Sequence, residues 1–323
     1  MAKETVKAKK FVAPKSKFNK TYFKRYWQLY ALLLLPIIYL IVFKYLPMRY
    51  IIIAFKEYKL NTPLSKMPWA GTKAQTDALK YFKMAFKDID FKRALWNTVK
   101  LNLLDLIMGF PAPIIFALIL NELCFKRFKK VVQTIAYMPH FLSWVIIASL
   151  CTQLLAPTDG LINQLVTHLG GKSIPFLDDP SHWVGTYVGA GVWQNFGWGS
   201  IIYLASIAGI NTELYEAASV DGAGRFKKMW HVTLPGIKPT IVVLLIMNLG
   251  YIMGGGFERP WAMKNNLVID VAEVISTYVY KVGIQRLKIS LTTAVGLFQS
   301  VVGLFFLLTA NTISRKLGER GIW

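Results

Sequence analysis

The 323-residue chain is 54% hydrophobic and 17% charged, yet it carries 38 Lys and Arg against 17 Asp and Glu, a net charge of +21. So apolar a composition excludes a disordered chain, and two cysteines exclude a disulfide scaffold or a cysteine-based zinc site. Apolarity points to a bilayer and basicity to an anionic surface, so the distribution along the chain decides how the two combine.

Residues 1–28 form a basic tail. Nine of the first 25 positions are Lys or Arg, from Lys3 to Arg25, and Glu4 is the only acid among them. The tail reads as an orientation signal resting on anionic lipid. No folded module accompanies it to present the charge to nucleic acid, so nucleic acid is not an expected partner. Six apolar blocks follow, at 29–43 (resuming at 51–53), 94–120, 131–155, 184–210, 241–253 and 289–310. Five are long enough for a helix of ~20 residues to cross a bilayer, and six such blocks exceed what a soluble surface can cover. The expected fold is all-α: a polytopic membrane protein of six transmembrane helices over 29–312, with a tail at 313–323. The first block has no small-x-small site after it and is expected to be a retained span.

Between the first two blocks, residues 54–93 hold nine bases against Glu57, Asp77, Asp88 and Asp90. Parity places this segment outside, where fewer bases are expected. Block two holds Asp105, the one acid deep within a block, with Lys100 five residues before it. The loop at 121–130 carries Lys126, Arg127, Lys129 and Lys130, and is expected to be cytoplasmic. Block three offers Tyr137, His140, Ser143 and Trp144. The 156–183 loop is acidic and lies outside by the same count. Its Gly170-Gly171-Lys172-Ser173 mimics a phosphate-binding loop, but Val166 stands where that loop needs glycine. No ATPase of the chain's own, no catalytic cluster, no metal and no cofactor is expected.

Block four reads Gly191-Val192-Trp193-Gln194-Asn195-Phe196-Gly197-Trp198. Trp193, Gln194, Asn195 and Trp198 combine amides with ring faces and are candidate contacts for a polar solute, with Tyr137, Trp144 and Gln299 behind them. Interhelical packing accounts for block four equally well. Gly185 with Gly189, and Gly250 with Gly254, are spaced for close helix packing. The loop at 211–238 contains Glu216-Ala217-Ala218-Ser219-Val220-Asp221-Gly222, and nine residues on Val232-Thr233-Leu234-Pro235. Asn211 or Thr212 can cap a helix here, Gly222 permits a turn that other residues resist, and Pro235 interrupts the chain before block five. Block five is short. It needs its Pro-rich start or its Gly-rich end, Gly254 to Gly256, to reach across. The last block leads to Arg315, Lys316 and Arg320, so both termini are expected in the cytoplasm.

The 211–238 loop resembles the signature of permease subunits of bacterial ATP-binding-cassette importers: Glu-Ala-Ala, three residues, Gly, nine residues, Ile-x-Leu-Pro, with Val232 in place of Ile. Further stretches are similar to the complex-polysaccharide and alginate-type branch of those permeases. They include Phe43-Lys44-Tyr45-Leu46-Pro47-Met48, Tyr137-Met138-Pro139-His140-Phe141-Leu142-Ser143-Trp144 and Gly296-Leu297-Phe298-Gln299-Ser300. The resemblance implies a type I importer architecture in the inner membrane and alternating access for an oligosaccharide or polysaccharide-derived sugar. It implies a second, different permease subunit, a cytoplasmic ATPase dimer and an extracytoplasmic solute-binding protein. It also implies that Glu216, Ala217, Ala218, Asp221, Gly222, Leu234 and Pro235 dock onto the ATPase. Residue by residue, Glu216 would pair with a basic group, Gly222 would allow the tight turn, and Leu234-Pro235 would anchor the return to the membrane. A non-sugar solute and an ion-gradient-driven transporter remain the alternatives.

Overall fold

The structure is a computed structural model that describes residues 20–71, 76–316, 318, 321 and 322. Most of the basic N-terminal tail, and parts of the C-terminal one, lie outside the described residues. The chain divides into two units, residues 1–52 and 53–323. Among the described residues the elements are helical, apart from two isolated bridges, Lys56 with Trp69 and Gly71 with Thr76.

The described part of the first unit is a long apolar helix. Helix α1 (Lys20–Leu40) carries Pro36 inside it and bends at Tyr26, then continues through a π turn at Ile41–Tyr45. Its Leu32 to Leu35 run is exposed, as expected of side chains that face lipid.

The second unit begins with a folded segment. Glu57 N–H donates to Pro68 O at 2.9 Å, and Ala70 N–H to Phe55 O at 2.9 Å. Ser290 Oγ ties the segment down, accepting from Tyr58 N–H at 2.9 Å and donating to Lys56 O at 2.7 Å. Helix α2 (Lys80–Lys87) follows, then α3 (Ile89–Gly109) and α4 (Pro111–Glu122). Several of the surplus bases are consumed here. Lys80 pairs with Glu57 at 2.8 Å and Lys83 with Asp77 at 2.9 Å, while Arg93 joins Asp90 and Asp270. The partnership with Glu57 raises the Lys80 pKa, and that with Lys83 lowers the Asp77 pKa.

Block three is not one straight span. Helix α5 (Lys126–Tyr137) ends in a short 3-10 turn, and α6 (Trp144–Leu155) leaves at 103°. The bend has local causes. Pro139 lacks an N–H, Leu142 and Ser143 are extended, and Ser143 caps the new helix by accepting from Ile146 N–H. After the small helix α7 (Leu161–His168) comes α8 (Pro180–Ala208), a helix of 29 residues capped by Asp179. Helices α9 (Thr212–Val220), α10 (Arg225–Lys228) and α11 (Leu234–Gly250) form the next stretch.

Pro235 does not interrupt the chain. The helix runs unbroken from Arg225 to Gly250. A π turn at Met229–Thr233 precedes the proline, and Leu234 N–H reaches back to Met229 O, so the wider coil absorbs the missing donor. Block five therefore gains its length from the Pro-rich start. The Gly254–Gly256 stretch is a break, after which α12 (Glu258–Met263) continues. Short helices α13 (Ile269–Ala272) and α14 (Ile275–Val279) lead to α15 (Ile289–Lys316).

Among the described residues, four helices are long and apolar enough to cross a bilayer: Lys24–Phe55, Ile89–Glu122, Arg225–Gly250 and Ile289–Lys316. The bent α5–α6 pair makes up to five. Length and composition thus reach five of the six spans expected. Helix α8 is long enough, at about 43 Å, but its Gly, Gln, Asn and Ser residues lower its hydropathy. Three apolar clusters hold the unit together. One joins α3, α14 and α15 around Phe91, Tyr278 and Val295. A second joins α3, α8 and α12 around Trp183, and a third joins α4, α8 and α11 around Tyr203 and Ile237. Helix α8 thus runs through two of the three. Gly250 packs against Leu307, and Gly303 faces the Gly250 carbonyl, so α11 and α15 approach closely as their small residues allow. Gly185 and Gly189, expected to pack, instead have open space beside them.

Candidate functional site

The first candidate feature is an arm built from α9 and the turn that follows it. Asn211 caps α9, its Oδ1 accepting from Glu213 N–H at 3.1 Å. The helix ends because Gly222 adopts φ +70°, a left-handed conformation that costs glycine little. Gly222 N–H then donates to Ser219 O at 3.1 Å and Ala223 N–H to Ala218 O at 2.9 Å, closing a Schellman turn. Two contacts tie the arm to the foot of the helix that continues into α11. Tyr215 Oη lies 2.9 Å from Thr233 Oγ1, and Lys228 Nζ donates to Ser219 Oγ at 2.7 Å. Glu216, Ala217, Asp221 and Gly222 are exposed, and so are the apolar Leu214 and Val220. The Glu216 carboxylate forms no hydrogen bond or ion pair among the described residues. Leu234 is half-buried and Pro235 exposed, both on the continuous helix.

The second feature is a cavity of about 430 Å³, lined by α3, α4, α8, α11 and the glycine break. Its polar wall is Asn102, Asp105, Asn195, Asn248, Tyr251 and Arg259. Arg259 reaches back from α12 to form a two-pronged pair with Asp105, Nη1 to Oδ2 at 2.7 Å and Nη2 to Oδ1 at 3.1 Å. Nη2 also donates to the Tyr187 carbonyl, and the guanidinium lies 3.7 Å from the centre of the Tyr187 ring. Gly191 makes the room, since a Cβ there would overlap the guanidinium. The acid's partner is therefore Arg259, not Lys100, which is exposed. The break is pinned to the wall: Asn102 Nδ2 donates to Ile252 O at 2.8 Å and to Gly254 O at 3.1 Å, and Gln299 Nε2 donates to Met253 O.

Block four is brought to the cavity on one face only. Asn195 lines it. Gln194 is buried and donates to Leu142 O at 3.0 Å, filling a carbonyl left open by the bend between α5 and α6. Trp198 stacks on His140, ring centres 4.7 Å apart, and His140 Nδ1 lies 3.2 Å from Asn195 Oδ1. Gly197 lets Ala136 of α5 sit against α8, where a Cβ would overlap its carbonyl. Most of this motif therefore holds the bent helix in place. Trp193 points to the opposite face of α8, into an apolar groove beside Gly185 and Gly189. Trp144 lies 5.1 Å from the Arg259 guanidinium, behind the wall, and Gln299 supports the break. Tyr137 is half-buried at the end of α5. Asn311 accepts from Ile322 N–H at 2.8 Å, near the C-terminus.

Sequence reasoning missed Arg259 and Tyr251, the latter 71% exposed on the cavity wall. The available signal was the single arginine that follows three glycines. A broken helix at membrane depth exposes such a residue to a cavity.

An apolar helical bundle, a polar cavity with one ion pair, and an exposed arm joined to a wall helix define a membrane transport component. The chain belongs to the family of binding-protein-dependent transport system inner membrane components, which matches residues 94–319. Among its relatives is the protein LplB of Bacillus subtilis (strain 168), 43% identical over 300 residues, covering 93% of this chain and 92% of that one. Another is the polygalacturonan/rhamnogalacturonan transport system permease protein YteP of the same organism, 43% identical over 295 residues (91% and 90% of the two chains). The fold matches a chain of a bacterial ABC transporter involved in the import of the acidic polysaccharide alginate. The TM-score is 0.82 at 40% identity, covering 93% of this chain and 99% of that one. A second structure of such a transporter, in complex with an alginate pentasaccharide-bound periplasmic protein, matches at TM-score 0.82 and 39% identity, covering 94% and 99%.

Proposed function

We propose that the chain is one permease subunit of an ATP-driven, binding-protein-dependent importer that moves an oligosaccharide by alternating access. The observation that carries this reading is the single helix Arg225–Gly250. One end is hydrogen-bonded to the arm that carries Glu216 and Gly222, and the other supplies Leu244, Asn248 and neighbouring Tyr251 to the cavity. A partner ATPase that grips the arm displaces the cavity wall as a rigid body. ATP favours one state only through the difference in its binding to the two. The arm fits that role: its carboxylate is free for a basic group, and its apolar side chains lie exposed beside it. In this reading ATP is hydrolysed by the partner, and both termini and the arm face the cytoplasm. Helix α8 is the sixth span.

The sugar assignment rests on the relatives and on the chemistry of the cavity. Asn102, Asn195 and Asn248 offer amides to hydroxyls, and Tyr251 offers a ring face. Asp105 and Arg259 neutralise each other within the wall. A second, different permease supplies the facing wall, and a solute-binding protein delivers the sugar. The test is reconstitution of the chain with a second permease, the ATPase and the binding protein. Sugar-loaded binding protein is expected to stimulate ATP hydrolysis and uptake, and Glu216→Lys to lose the ATPase on purification. Uptake by the chain alone, driven by an ion gradient, would sink the proposal.

A further inference from the structure

Two basic stretches far apart in sequence meet beside the docking arm. Arg225 Nη2 donates to Cys124 Sγ at 3.3 Å, joining the start of α5 to α10. This brings Lys126, Arg127, Lys129 and Lys130 to the same end of the unit as Arg225, Lys227 and Lys228. None of the seven forms an ion pair with a carboxylate among the described residues. Five bases elsewhere in the unit behave differently: Lys80, Lys83, Arg93, Arg259 and Lys281 each hold a carboxylate. The seven bases here thus lack the carboxylate partners that those five have.

The apolar residues between the bases are also uncovered. Phe125, just before α5, is exposed, as are Phe128, Val131 and Ile135, which helical spacing puts on one side of α5 with the bases on the other. Phe226, 82% exposed, and Trp230 repeat the pattern on the second stretch. Helix α5 is the first member of the bent pair that is apolar enough to span. Its bases therefore lie within a turn or two of hydrocarbon, at the depth of lipid phosphates. Exposed rings enter the acyl boundary while Lys and Arg stay with the headgroups.

We propose that the start of α5 and α10 together form a binding surface for anionic phospholipid headgroups of the leaflet on the docking-arm side. Charge complementarity and depth favour a lipid over an acidic protein. The free protein-docking groups, Glu216, Leu214 and Val220, lie on α9 instead. Bound lipid here would steady the foot of Arg225–Gly250, and so the arm. The inference requires the membrane placement but not the identity of the solute.

The test uses the assembled transporter in nanodiscs of phosphatidylcholine and phosphatidylglycerol in equal amounts, with retained lipid read by native mass spectrometry. A base near the surface is worth roughly fivefold in anionic-lipid binding, so phosphatidylglycerol is expected to be retained at least about tenfold over phosphatidylcholine. Lys126→Gln/Arg127→Gln/Lys129→Gln/Lys130→Gln is expected to bring the two near parity. Lys126→Arg/Lys129→Arg/Lys130→Arg is expected to keep the preference. Should the fourfold variant fail to assemble, Arg225→Gln/Lys227→Gln reads the other half of the surface. Equal retention of both lipids by the unaltered protein overturns the proposal. So does an unchanged preference in the Gln variants, and so does loss of the ATPase with lipid retention unaltered, which assigns the bases to a protein partner. Sugar-stimulated ATP hydrolysis, followed in the same samples, separates failure of this surface from failure of the transport reading.

Discussion

Replacing Asp105 with Asn isolates what the buried pair contributes. The substitution keeps the shape and removes the charge that two guanidinium nitrogens contact at 2.7 and 3.1 Å. Arg259 is left with the Tyr187 carbonyl and ring, while its side chain is only 12% exposed. Stranding one member of a buried pair costs about 3–5 kcal/mol. The Asp105 side chain is 28% exposed to the cavity, so water reaches the site and the lower end, about 3 kcal/mol, applies. The double variant Asp105→Asn/Arg259→Gln removes both charges and is expected to recover most of that loss, since neutral replacement of a buried pair is often tolerated. The assay is apparent thermal stability in detergent, followed by size-exclusion chromatography, for the two single variants and the double. Asp105→Asn and the double variant melting alike, or Asp105→Asn melting with the unaltered protein, would refute the reasoning. Unchanged uptake and abundance in Asp105→Asn would further remove the pair from transport.

Gly222→Asp is expected to leave the protein inserted and abundant but to uncouple ATP hydrolysis from uptake. The left-handed turn becomes costly by about 1–2 kcal/mol, while the added side chain meets open space. Normal uptake removes α9 from the docking role. Gly197→Val is expected to push α5 from α8 by roughly an ångström and to cost about 1–3 kcal/mol, read as a lower melting temperature; no change refutes the close approach to Ala136. Asp179 caps α8, and its bond from the Ser181 hydroxyl, followed by those from the backbone, lowers its pKa to about 2. A depressed carboxylate pKa stabilises the fold above the ordinary value of 3.8, and that contribution disappears as pH falls through about 2. Melting measured between pH 5 and pH 2 is expected to fall less in Asp179→Asn than in the unaltered protein, and parallel curves refute the cap's role.

The chain's own order determined much of this protein. Long apolar runs can only be helices in a bilayer, because every backbone group must be paired within the segment. The arm was equally local: Asn211, Glu216 and Gly222 lie within one helix and its two ends, so cap, carboxylate and turn are legible from spacing alone. The basic 54–93 segment was not. Part of its surplus is met by Glu57, Asp77 and Asp90 within the segment and by Asp270, 177 residues from Arg93. Block four was legible only as chemistry. Gln194 and Trp198 carry groups suited to a sugar, but the bend at Pro139 to Ser143 leaves a carbonyl and a ring that claim them first. Asp105 was visible as an anomaly and its partner was not, because Arg259 arrives from 154 residues away over a break in the helix. The opening contrast of apolarity and charge resolves in the same way. The sequence placed the bases between the blocks. Tertiary structure decided which are neutralised by carboxylates and which, at Lys126–Lys130 and Arg225–Lys228, stay open, because pairing depends on which distant segments the bundle brings within a few ångströms.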